Sequence, residues 1–220
     1  MQGENTGARM IDIGRIIETP ECVIEGADWL RGACPRMAYA MDQTGPLPLR
    51  RRPDGFEQLL SAIVSQQVSV ASANAIWKRM KDARLTGPRK IMCATDDELR
   101  AAGLSRQKMR YARALADARI DFKALRDASD AEVISVLTEV SGIGVWTAEI
   151  YAMFSLGRAD VFAHGDLALQ EAARILYDLP KRPTEKEMRE IANAWSPWRS
   201  VAARVLWAYY RVAKDREGIR

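Results

Sequence analysis

The chain has 220 residues, 48% of them apolar, which suits one or two globular domains and excludes a disordered tail or a fibre. No apolar run nears the roughly 20 residues that cross a bilayer, and Met1 to Arg9 lacks the apolar stretch of a secretory signal, so the expected location is cytoplasmic, with no membrane contact. The formal charge of +4, from 33 basic and 29 acidic residues, permits a nucleic-acid partner without demanding one. Cys22, Cys34 and Cys93 are scattered without a C-x-x-C pair, and His164 is the sole histidine. A disulfide framework, a zinc site and a Ser-His triad therefore fall away, leaving carboxylates, lysines, aromatics and backbone groups to carry any chemistry.

In chain order, residues 1–19 read as a mobile N-terminal tail and residues 20–220 as one domain. Gly45, Pro46 and Pro48, followed by Arg50–Arg51–Arg52 and Pro53, describe a loop entering the main body, its arginines solvated. Asp54 is placed to cap a helix carrying Phe56, Leu59, Leu60, Ile63 and Val64 at helical spacing. A second apolar stripe follows in Val70, Ala73, Ile76, Trp77 and Met80. Capping-box spacing opens helices at Thr95 with Glu98, Ser129 with Glu132, and Thr184 with Glu187. Ser196 then Pro197 predicts an N-cap and first helical residue, leading to a helix that runs to about Asp215 and buries Val201, Val205, Tyr209 and Val212. No alternating strand pattern or hairpin-turn pair is present, so the expectation is an all-α fold of roughly eight to ten helices.

Leu137 to Ala148 reads Leu-Thr-Glu-Val-Ser-Gly-Ile-Gly-Val-Trp-Thr-Ala. One helix ends near Val140, Gly142 and Gly144 make a tight turn, and a second helix starts near Val145. Two glycines permit positive backbone dihedrals and close approach, and the amides at a helix start suit a phosphate. On its own this spacing more often describes a plain interhelix connection. Asp166, before the helix Leu167–Leu176, has the position of an N-cap.

The longer string resembles the helix-hairpin-helix of the DNA glycosylase superfamily. Asp160-Val-Phe-Ala-His-Gly-Asp166 follows it, with Asp166 at the position of the family's aspartate, 22 residues after Gly144. Leu60-Ser-Ala-Ile-Val-Ser-Gln-Gln-Val-Ser-Val, Gly103-Leu-Ser-Arg-Gln-Lys-Met-Arg-Tyr and Trp195-Ser-Pro-Trp-Arg-Ser match in the family's order, so the likeness covers about residues 55 to 212. The branch resembled is DNA-3-methyladenine glycosylase II. The resemblance implies a two-lobed helical bundle with its cleft between the lobes. No room precedes residue 50 for a complete β-rich N-terminal domain.

Several roles follow from that resemblance. Asp166 would be catalytic, its negative charge stabilising the oxocarbenium-like sugar during base loss. Trp146 stands where bifunctional members carry a lysine, which implies a monofunctional enzyme that uses water and leaves an abasic site. Trp146 and Trp207 would wall the pocket for a flipped cationic base such as 3-methyladenine or 7-methylguanine, with Tyr151 beside them. Trp77, Trp195 and Trp198 read as core. Gln67, with Gln66 in reserve, would fill the gap left in double-stranded DNA, and Gly142, Gly144 and Thr147 would meet its backbone. The carbonyls of Thr138, Val140 and Ile143 match the family's monovalent-cation site for Na+ or K+. No cysteine follows Cys93, so the iron–sulfur cluster of endonuclease III relatives is not expected, and no cofactor is required. The chain is expected to act as a monomer. Ile150 and Gly165 depart from the branch's usual tyrosine and acidic residue. A glycosylase for another damaged or mispaired base, and a non-catalytic DNA-binding hairpin protein, remain the alternatives.

Overall fold

The computed structural model describes residues 13–217, which form thirteen α-helices; the only β pairing among them is a single bridge between Ile16 and Arg158. Helices α1 (Pro20–Ala33) and α2 (Pro35–Thr44) each begin on proline, where the absent N–H would have had no helical partner. There follow α3 (Phe56–Ser65), α4 (Val70–Asp82), α5 (Pro88–Cys93), α6 (Asp96–Ala101), α7 (Arg106–Asp117), α8 (Phe122–Asp127) and α9 (Asp130–Thr138). Next, α10 (Val145–Tyr151) runs directly into a π-helical turn, Ala152–Leu156. The chain closes with α11 (Leu167–Tyr177), α12 (Glu185–Ala192), a 3-10 turn (Asn193–Trp195) and α13 (Arg199–Glu217).

The helices pack in groups that the chain leaves and re-enters. α13 lies against α1, α2 and α11, and the turn Asn193–Trp195 joins α12 to them. α7 packs on α3, α5 and α6, and α4 packs on α3, while α9 packs on α10 and the π turn. Burial explains the long last helix: Val201 and Val205 are fully buried, Tyr209 nearly so, and Val212 half so. Trp195 and Trp198 are core residues, as their sequence setting indicated, and Trp77 packs against the core from its edge.

Several local expectations change. Thirteen helices replace eight to ten, in part because α5 and α8 are six residues long and each buries one apolar side chain, too few to show a period. Asp54 does not cap α3; Gly55 holds that position, and the Asp54 carboxylate pairs instead with Arg126 at 2.7 and 3.1 Å. Ser196 and Pro197 precede α13 rather than start it, and the Ser196 hydroxyl donates to Asp160 at 2.8 Å. Val70 begins its helix facing outward, 78% exposed, while Ala73, Ile76 and Met80 are buried as the stripe predicts. Both halves of the capping box form at Thr95 and Thr184, but Ser129 makes only its own half, accepting the Glu132 amide. Of the expected tail, residues 1–12 lie outside the described residues. Ile17 is fully buried and its amide donates to Gly157 at 2.7 Å, so residues 13–19 belong to the packed body.

Candidate active site

The hairpin closes with the Ile143 amide donating to the Val140 carbonyl at 2.9 Å, and the Ile143 side chain is buried beneath it. Gly142 has φ +98°, and a Cβ there would sit 2.3 Å from Cγ of Tyr111 on α7. Both facts require glycine. Gly144 differs from expectation: its φ of −87° is open to any residue, and a Cβ would meet nothing within 4 Å. Nothing within the chain requires glycine there, and the surface beside it is open. No side chain caps α10, which leaves first-turn amides for an incoming anion. Thr147 is buried in the first turn of α10 and lines the cavity beside it.

The loop Ser65–Ser69 stands next to this turn. Gln66 donates from Nε2 to the Gly142 carbonyl at 2.9 Å, fixing loop to hairpin. Gln67 is exposed and holds φ +55°, an unfavourable conformation for a residue with a side chain. The geometry separates the two glutamines: Gln66 is the tether and Gln67 the free tip. Lys108, buried on α7, donates from Nζ to the Val64 carbonyl at 2.6 Å and so anchors the loop's base; burial lowers its pKa.

Asp166 does cap α11. Its Oδ1 accepts the amides of Ala168 and Leu169, both at 3.0 Å. The same carboxylate receives two indole N–H groups: Trp146 Nε1 on Oδ2 at 2.9 Å and Trp207 Nε1 on Oδ1 at 3.3 Å. Four donors converge on one half-buried carboxylate, an arrangement suited to the anion. Trp146 is 48% exposed, whereas Trp207 is half-buried against Phe154 of the π turn, ring centroids 5.8 Å apart.

A pocket of about 310 Å³ opens between α3 and α10, lined by Leu59, Ala62, Trp146, Ile150 and Tyr151 among others. Trp146 connects it to Asp166; neither Asp166 nor Trp207 is itself in the lining. Tyr151 reaches the pocket, but its hydroxyl is committed, accepting the Gly55 amide at 2.7 Å, and burial pushes its pKa up to about 12. It remains a neutral phenol that also fixes the entry to α3.

Sequence reasoning missed one buried pair. His164 Nδ1 lies 3.1 Å from Oε1 of Glu149, and Arg189 of α12 approaches the same oxygen at 3.5 Å. Gln170 of α11 donates to the His164 carbonyl at 2.9 Å. The group ties α10, the aspartate loop, α11 and α12 together around Asp166. Only the nearness of His164 to Asp166 in the sequence hinted at it.

A profile of the HhH-GPD superfamily base excision DNA repair proteins matches residues 60–197. DNA-3-methyladenine glycosylase 1 of Schizosaccharomyces pombe is 33% identical over 174 residues, 75% of this chain and 76% of that protein. The crystal structure of DNA-3-methyladenine glycosidase from Bacillus halodurans superposes with a TM-score of 0.75 at 33% identity, covering 89% of this chain and 91% of the other. The S. pombe enzyme Mag1 in complex with abasic DNA gives a TM-score of 0.72 at 30% identity, covering 83% of this chain and 95% of that one. The chain belongs to the HhH-GPD superfamily of base excision DNA repair proteins.

Proposed function

We propose that the protein is a monofunctional DNA glycosylase that flips an alkylated base out of double-stranded DNA and hydrolyses its N-glycosidic bond. The observation that carries this reading is Asp166, a carboxylate held by two helix amides and two indole N–H groups at the join of the hairpin and the C-terminal helix. The relatives' names, DNA-3-methyladenine glycosylases, support the substrate class.

In the reaction the C1′–N bond breaks, and its electron pair leaves with the base. A base alkylated at a ring nitrogen already carries positive charge, so it departs without a strong acid. The sugar gains oxocarbenium character opposite the fixed Asp166 anion, and water then bonds to C1′ while losing its proton. Trp146 occupies the hairpin position at which a lysine would be needed to attack C1′, and an indole cannot form a Schiff base. The product is therefore an abasic site in an intact strand.

Gly142, Gly144 and the Thr147 amide would receive the DNA backbone, with Gln67 entering the stack. The carbonyls of Thr138, Val140 and Ile143 are neutral oxygen donors, a set suited to Na+ or K+. Val140 keeps one lone pair after accepting the Ile143 amide. Such an ion would add positive charge beside a phosphate, and no redox or iron–sulfur group has a part in the reaction.

The test is DNA treated with a methylating agent. Free 3-methyladenine and 7-methylguanine should appear with strands that break only on later alkali treatment, and borohydride should trap no covalent complex. Strand cleavage with a trapped adduct would overturn the monofunctional reading.

A further inference from the structure

The arginine run before α3 is exposed, but it is not free. Buried Arg204, one turn before Trp207 on α13, donates from Nε and Nη2 to the Leu49 carbonyl at 3.3 and 2.9 Å. The Arg51 guanidinium donates to the Ser155 carbonyl at 2.8 Å, and the Arg52 amide to Phe154 at 3.0 Å. Between these anchors Arg50 is held at φ +55°, and its guanidinium lies over the Trp207 ring, 5.7 Å from the centroid. Arg52 and Arg204 lie over the neighbouring Phe154 ring at 5.8 and 4.8 Å. Among the described residues, no carboxylate forms an ion pair with Arg50, Arg52, Arg204 or Arg211. Burial first, and then the nearby charges of Arg211 and Arg52, lower the Arg50 pKa.

We propose that the Arg50 guanidinium holds the place on Trp207 that a flipped base takes, which makes Arg50 a specificity-determining residue on the Trp207 side of the site, outside the cavity between α3 and α10. The inference rests on the reading of Trp207 as a pocket wall. A guanidinium and an alkylated purine cation are drawn to the same indole surface by the same quadrupole, and they repel each other. A cationic base must therefore expel Arg50 before it can stack. The expelled side chain, still anchored through Leu49, remains among Arg52, Arg204 and Arg211, a cluster of cations that a phosphate can join. Selectivity then includes a fixed penalty on positively charged bases, set by how firmly Arg50 sits.

The experiment compares wild type, Arg50→Met and Trp207→Leu in single-turnover release of 7-methylguanine at saturating enzyme. Binding to DNA with a preformed abasic site, where no base competes, is the second measurement. Methionine keeps the length and apolar stem without the charge. Arg50→Met should release the base about two- to fivefold faster, the range a cation–π contact at a partly exposed site represents. Its affinity for abasic DNA should not rise. Unchanged or slower release, or an equal gain in abasic-DNA affinity, overturns the proposal. Should Trp207→Leu slow release while Arg50→Met changes nothing, this inference alone fails; wild-type release by Trp207→Leu removes the wall reading and this inference with it.

Discussion

The two sides of the site are assembled in different ways. The hairpin side is one continuous stretch: the end of α9, the Gly142–Gly144 turn, and the start of α10 with Trp146. Its shape comes from neighbours in sequence plus two contacts at Gly142, one with the Tyr111 ring and one from Gln66 to its carbonyl. The α13 side is built from distant pieces. Trp207 and Arg204 come from the last helix, Phe154 from the π turn, and Arg50 from the loop before α3, brought together by Arg204 bonding to the Leu49 carbonyl. Asp166 is where the two meet, one indole from each side on its carboxylate. A local motif can be recognised from a string of letters, whereas a long-range assembly shows itself only when the chain is folded.

Substitutions can sharpen or break that contrast. The largest stability effect is expected on the hairpin side: Gly142→Ala should cost about 3 kcal/mol, from a left-handed backbone and a clash with an aromatic ring rather than a flexible chain end. Gly144→Ala should stay within about 1 kcal/mol of wild type in denaturant titration while weakening DNA binding, because its Cβ points into open space. Equal losses at both glycines would show that the turn needs both for folding. On the α13 side, Arg204→Met should cost about 2 kcal/mol, since it strands the carbonyl of Leu49 and removes the bonds to the Ser200 carbonyl and hydroxyl. The smallest effect is expected at Gln66→Ala, about 0.5–1 kcal/mol for one hydrogen bond to the Gly142 carbonyl.

The same contrast accounts for what could be read in advance. The all-α class, the apolar faces of α3 and α13, and the capping boxes at Thr95 and Thr184 were legible because each depends on residues within a few positions. That Asp166 and Trp146 share one site was legible through the resemblance of the hairpin and aspartate strings to the family's, and their side chains do meet. Asp54 and Ser196 misled because each has a partner far away, Arg126 and Asp160, and a long-range ion pair or hydrogen bond leaves no local period. The short helices α5 and α8 escaped for want of length. Arginines 50–52 read as solvent-facing, and they are exposed, but no spacing rule links Arg50 to the distant indole of Trp207; Glu149 and His164 were silent because a buried pair has no periodic signature.

The central claim is that one carboxylate, joined to both sides, drives base loss while the hairpin binds DNA independently. Asp166→Asn tests it most directly, because asparagine is nearly isosteric and can still cap α11. Release of 7-methylguanine in a single turnover should fall by at least about 100-fold, with affinity for abasic DNA close to wild type. Release at the wild-type rate with binding unchanged would contradict the account, leaving Asp166 as no more than the cap of its helix.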